Sequence, residues 1–228
     1  MSVLDNPAWS ALTTHQAHLS LGAIARRYPA HLAPIGAVNR LDPAALEELA
    51  DLTAVGDVIS LPATLEGLTP FVPARLRITL QKLLVQMVWA RRVHAPRPHI
   101  DIAELSEADI PDMLALTALT HPGPFRAQTY TLGLYVGVRE RGYLVAMAGQ
   151  RMHVPGYREI SAVCTHPNFV GRGYARGLVT RLVEAILGDG MTPFLHVEDT
   201  NERAQSVYGG LGFSERRRLP LLVAERVD

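Results

Sequence analysis

Apolar positions along the chain change period several times, and the clearest run lies at 173–187. There Ala175, Leu178, Val179, Leu182, Val183 and Ile186 fall at i, i+3, i+4, i+7, i+8 and i+11, the single face of an amphipathic helix. Ahead of it, GLYVGVRERGYLVAMAGQRMHV predicts two strands joined at 140–142. EISAVCTH at 159–166 predicts a third beyond the turn at Pro155 and Gly156, which makes an antiparallel meander. After the helix, TPFLHV predicts a strand, 201–210 a helix, and 213–227 an extended segment. Upstream, a short strand at 99–104 leads to a helix from Ser106 to about Thr120, with Asp109 near the positive end of its dipole. HPGPF at 121–125 must leave that helix, and a short helix around 126–132 follows.

The N-terminal part is less regular. Trp9, Leu12, Leu19 and Ile24 predict one helix over 7–28, or two broken near Gly22. DPAALEELADL is a better helix, with Asp42 as cap, Pro43 at the first helical position and Ala45, Leu46, Leu49 and Leu52 on one face. Residues 56–62 and 82–89 read as strands around the proline-dotted turn segment LPATLEGLTPFVP. HAPRPHI at 94–100 favours an extended chain and marks the expected boundary between a region 1–95 and a domain 96–228. The element order is α/β of the α+β kind, without the strict alternation of a doubly wound sheet.

Composition narrows the class. Hydrophobic residues are 48% of the chain, yet no apolar run approaches the roughly 18 to 20 residues of a membrane span. The N-terminus lacks a basic segment followed by an apolar one, so a cytoplasmic protein without a membrane partner is expected. Lys plus Arg and Asp plus Glu both total 22, and neither half carries the basic excess of a nucleic-acid binder. Lys82 is the one lysine, a bias that carries no functional weight. The single cysteine, Cys164, excludes an intrachain disulfide and a cysteine-rich metal site, and no metal is expected.

The most informative segment is VGRGYARG, where a strand passes through a short loop into the long helix. Gly171 and Gly173 let backbone approach a ligand, and free N–H groups at a helix N-terminus favour a phosphate or pyrophosphate. A tight turn alone would look the same. A Walker loop is excluded because no Gly-Lys-Ser or Gly-Lys-Thr ends it, and a dinucleotide fingerprint because the loop follows an antiparallel meander.

Strand EISAVCTHP, loop VGRGYA, amphipathic helix, strand TPFLHV and then NERAQSVYGGLGF together resemble the GNAT acyltransferase superfamily over roughly residues 98–228. ISAVCTHP with GRGYA and TPFLHV resembles its branch related to glycine N-acyltransferases. The resemblance implies a central mixed, mostly antiparallel sheet flanked by helices, with a smaller N-terminal α/β region. That region reads as a degenerate acyltransferase half that packs on the catalytic domain or makes a homodimer. The implied activity is transfer of an acetyl or short acyl group from acetyl-CoA, or another acyl-CoA, to a primary amine of a small molecule or peptide. The alternative is a CoA-binding or regulatory module.

Residue by residue, the resemblance implies a cleft built from 163–175 and 201–208. Backbone N–H groups of the loop Val170, Gly171, Arg172, Gly173, Tyr174 and Ala175 would hold the CoA pyrophosphate. Val170 stands where the family usually has Gln or Arg, which leaves the backbone donors in place. Arg172 and Arg176 either add charge or are solvated. Ala162, Val163, Cys164 and Thr165 would lie along the pantetheine arm, with the Val163 N–H polarising the thioester oxygen. Asn201, opening the helix that carries Ala204, either binds the pantetheine or is a plain N-cap. Tyr208, two turns on, is the implied general acid. Glu159 is the candidate base, acting through water, with His166 and His121 as alternatives. Cys164 reads as a buried structural thiol and His196 as a core histidine. The HPGPF loop and the residues up to Tyr130 are expected to shape the acceptor pocket.

Overall fold

The computed structural model describes residues 2–62, 72–90 and 100–228. Most of the proline-dotted turn segment and of HAPRPHI, with the expected boundary at 95/96, lies outside the described residues. The fold is mixed α/β with a large, mostly antiparallel sheet flanked by helices. Two compact units make it up, one of residues 1–85, 152–155 and 217–228, the other of 86–151 and 156–216.

The first unit holds α1 (Pro7–Thr13), β1 (Ala25–Arg27), β2 (Gly36–Val38), α2 (Pro43–Asp51), β3 (Val58–Leu61), the first part of β4 (Leu76–Trp89) and the last part of β10 (Phe213–Arg226). Its sheet order is β3-β10-β4, with β1 and β2 forming a separate antiparallel pair. Asp42 caps α2 through a 2.9 Å bond from the Ala45 N–H to its carboxylate. Ala45, Leu46 and Leu49 of this helix pack with Ile59, Leu61, Leu76 and Leu222 in one core.

Expectation and structure part company over 7–28. The helix stops at Thr13, where Thr13 and Thr14 hydroxyls bond back to the carbonyls of Trp9 and Ser10, and residues 25–27 form a strand. The cause is tertiary. The Glu48 carboxylate accepts the N–H groups of Ala23, Ile24 and Ala25 at 2.7 to 2.8 Å, which turns the chain into β1 and overrides its weak helical period. The strand at 82–89 is longer than expected, beginning at Leu76.

The second unit contains β5 (Ala103–Glu104), α3 (Ile110–Thr120), β6 (Tyr135–Glu140), most of β7 (Tyr143–Val154), β8 (Tyr157–Thr165), α4 (Tyr174–Gly188), β9 (Thr192–Glu198), α5 (Glu202–Gly209) and the ends of β4 and β10. Within it the order is β10-β4-β9-β8-β7-β6-β5. β6 and β7 pair antiparallel as the alternation predicted. Ser106 and Asp109 form a reciprocal cap, followed by one 3-10 turn before α3. The expected helix around 126–132 is a 3-10 turn over Thr129–Leu132. α4 runs over the predicted residues and buries Leu178, Val179, Leu182, Val183 and Ile186. From the other face, Met113 and Leu116 of α3 pack on Tyr135, Met147, Ala162 and Cys164.

Gly149 faces Tyr135 across the β6–β7 ladder, and a Cβ there would fall 2.2 Å from the ring. Gly149→Ala is therefore expected to cost about 1–3 kcal/mol through overpacking. The check is a lower urea midpoint at an unchanged m-value; an unaltered midpoint would show that the ring can move aside.

Candidate active site

All the residues singled out in the C-terminal motifs fall in the second unit. β8 and β9 run parallel, and their paired register extends from Tyr157–Thr192 only to Ile160–Leu195. Two residues later Ala162 is left-handed, with φ 53°, a conformation that costs an L-residue roughly 1–2 kcal/mol. It changes the parity of the strand. Ala162 and Cys164 pack against Tyr135, which also feels the charge of Glu159, so an odd and then two even positions share one face. Past this point the two strands lack paired register, although β8 continues to Thr165 and β9 to Glu198.

β8 continues through His166 and the 3-10 turn Pro167–Phe169 into the glycine loop. Gly171 and Gly173 have φ 88° and 82°, and a Cβ on Gly171 would meet nothing within 4 Å. Gly173 is the N-cap of α4 and offers no side-chain acceptor, so the first N–H groups of a 15-residue helix lack a side-chain cap. Val170 is 42% exposed. Arg172 stacks on the Phe169 ring at 4.7 Å, and Arg176 donates to the Gly210 carbonyl at 3.2 Å. The Tyr174 hydroxyl donates to Glu140, which raises its pKa and ties the start of α4 to the end of β6.

Asn201 caps α5, its Oδ1 accepting the Ala204 N–H at 3.0 Å. Tyr208 is 7% exposed and stands edge-on to Phe213. Its hydroxyl makes no hydrogen bond among the described residues, and burial, with Cys164 nearby, pushes its pKa up to about 12. Burial likewise pushes the Cys164 thiol up to about 11, against smaller opposing effects of Thr120 and the Met147 backbone. That thiol is therefore inert as a nucleophile at neutral pH.

Glu159 is not at an exposed strand end. It sits inside β8 with its side chain 0% exposed, held by both Arg151 Nε and Nη2 at 2.8 Å and by His196 Nδ1 at 2.8 Å. Burial alone would raise its pKa, but the charge and hydrogen bonds of Arg151, then of His196, bring it down to about 2. His196 continues to Gln86 on β4, and Gln86 to Arg216 on β10. His166 spends Nδ1 on the Asn168 N–H, and His121 is the left-handed residue that ends α3, so both do structural work. Sequence reasoning did not find Arg151, Gln86 and Arg216. Arg151 could have been seen as the opposite charge to Glu159 across the hairpin at 155–156, whereas nothing local signals Gln86.

The FR47-like protein family model matches residues 135–220. A solved GNAT-family protein of Novosphingobium aromaticivorans DSM 12444 is 33% identical, with 99% of each chain covered and a TM-score of 0.85. A GCN5-related N-acetyltransferase of Kribbella flavida shares 15% identity over 96% of each chain at TM-score 0.64. A GCN5-related N-acetyltransferase-like protein of Streptococcus suis 89/1591 shares 14% over 90% of this chain and 82% of its own, at 0.56. These last two show the fold alone. No functionally curated protein matches the sequence significantly.

Because the folded-state pKa of Glu159 is depressed from 4.5 to about 2, its contribution to stability is present above 4.5 and is lost as pH falls through about 2. Stability is expected to drop across that window in the wild type and to drop less in Glu159→Gln. At pH 7 the variant should be weaker by about 3–5 kcal/mol, since it breaks the ion pair of a wholly buried carboxylate with the largely enclosed Arg151. Urea unfolding from pH 7 to pH 2 reads both effects; equal neutral stability would remove the buried-charge account.

Proposed function

The chain belongs to the GNAT acetyltransferase family, and from that premise we propose that it transfers an acetyl or other short acyl group from acyl-CoA to a primary amine in a ternary complex. The observation that carries this reading is the end of β8–β9 pairing at Ile160–Leu195, followed by a helix N-terminus without a side-chain cap. An extended, amide-bearing arm needs unpaired strand backbone beside it, and a pyrophosphate needs converging N–H groups. The same short stretch of chain supplies candidates for both. In this reading Ala162, Val163, Cys164 and Thr165 lie along the pantetheine, and the Val163 N–H polarises the thioester oxygen. The backbone from Val170 to Ala175 takes the pyrophosphate, with Arg172 and Arg176 as nearby charge. Asn201 and Ala204 border the arm at the start of α5.

Tyr208 protonates the departing thiolate. A phenol raised to about 12 stays protonated at neutral pH, but it is a weak acid for an ordinary thiolate of about 8.5. Desolvation disfavours a thiolate as it does a phenolate, so exclusion of water from the bound sulfur would narrow the mismatch. Glu159, saturated by Arg151 and His196, acts on the amine indirectly.

The motif wording resembles the branch related to glycine N-acyltransferases, and acetyl-CoA is the first donor to try. In the same reading residues 1–95 are a smaller α/β region preceding the domain 96–228, and the location is cytoplasmic. No helix among the described residues is long and apolar enough to cross a membrane.

The test is release of free CoA thiol from acetyl-CoA with a broad panel of amines. Tyr208→Phe is expected to lower kcat by about 10²–10⁴-fold, and Gly173→Glu to abolish stabilisation by CoA, because it places a side chain and a negative charge at the anion site. Thermal stabilisation by CoA without turnover of any amine would favour the binding-module alternative. Unchanged rates in both variants would sink the assignment.

A further inference from the structure

Glu159, His196 and Gln86 form a polar chain whose proton positions are fixed by geometry. Arg216 Nη1 donates to Gln86 Oε1 at 2.8 Å, which turns the Gln86 amide nitrogen toward His196 Nε2, 3.1 Å away. An amide nitrogen only donates, so Nε2 accepts. The proton of the neutral imidazole then sits on Nδ1 and is donated to Glu159 Oε1 at 2.8 Å. Glu159 is wholly buried, whereas the His196 side chain keeps 9% exposure, so of this dyad only the imidazole can meet an incoming group. The Tyr135 hydroxyl, which feels the charges of Arg151 and Glu159, is buried without a hydrogen-bond partner, and Phe125 of the HPGPF loop stands edge-on to its ring. An orphaned buried hydroxyl by that loop marks a place for a polar ligand group.

We propose that His196 Nε2 takes the proton from the acceptor amine, with Glu159 and Gln86 as the positioning residues that set its tautomer. The proposal rests on the acyl-transfer reading above. An ammonium displaces the neutral Gln86 N–H from Nε2 because a charge-assisted hydrogen bond is the stronger. One N–H bond breaks as the proton moves to Nε2, and the imidazolium formed lies against the Glu159 carboxylate. The freed amine lone pair forms the C–N bond to the acyl carbon, and the C–S bond breaks with its electron pair leaving on sulfur. The thiolate takes the Tyr208 proton, the surplus proton on the new amide nitrogen restores the phenol, and the imidazolium returns its proton to water. Gln86 is supplied by β4, so a residue from the first 95 of the chain controls a proton acceptor in the C-terminal motif region.

The charged and titratable groups around the imidazole are Glu159 on β8 with Arg151 of β7 behind it, and Arg216 of β10 behind Gln86. Tyr135 of β6 feels the charges of Arg151, Glu159 and Cys164. Long-range 1H–15N NMR on the full-length protein is expected to show His196 as the Nδ1–H tautomer, and Gln86→Leu to admit the other. A wild-type Nε2–H tautomer overturns the proposal whatever the turnover. With an amine that the panel identifies, His196→Gln should lower kcat about 10²–10⁴-fold, remove the acid limb of kcat/KM and leave the KM for acyl-CoA unchanged. An unaltered pH profile in that variant overturns the role of His196 and leaves acyl transfer standing. Absence of turnover with every amine removes both.

Discussion

Parallel pairing of β8 with β9 ends at Ile160, two residues before Ala162 turns left-handed, and around that point Glu159, Ala162 and Cys164 come to the same face. A regular strand alternates faces, so an odd position and the even ones after it share a face only where one residue leaves the β region. Ala162 is that residue. Glycine would adopt the conformation without strain, but the Ala162 methyl is part of the core with Met113 and Leu116, and its packing offsets some of the backbone cost. The parity change under α3 and the loss of pairing beyond Ile160 occur within two residues of one another.

The same few residues produce opposite electrostatic environments. Glu159 is buried, yet two guanidinium N–H groups and an imidazole hold it ionised, with its pKa down at about 2. Tyr208 and Cys164 are also buried but have no compensating charge, and both are held protonated. Burial disfavours the charged form in every case; what differs is whether a cation was buried with it. Burial thus leaves a carboxylate charged and a phenol neutral within one unit.

How much of this was legible depended on how far apart the interacting residues lie. The stripe of α4 and the alternation of β6 and β7 were read directly, since period and burial agree over many residues. Capping by Asp42, Asn201 and the Ser106–Asp109 pair was readable for the same reason, each being contained within four residues. β1 was not readable, because the chain turns into it only where a carboxylate more than twenty positions away collects the N–H groups of Ala23, Ile24 and Ala25. The burial of Glu159 was not readable, because a charged residue is exposed by default and this one is enclosed together with Arg151 and His196. His196 reads as an ordinary core histidine until Gln86, 110 residues upstream, is placed beside it.

Asn201 shows why a structural and a functional reading of one residue need not compete. Its Oδ1 is committed to the Ala204 N–H, which fixes the side-chain rotamer at the head of α5. The amide keeps both Nδ2 donors and the second lone pair of Oδ1, and their directions are set before any ligand arrives. Any group that meets this side chain finds it already ordered, so the entropy of fixing the rotamer has been met by folding. Capping is in this sense the preorganisation that recognition requires, and Tyr208, two turns along the same short helix, inherits its placement from that cap.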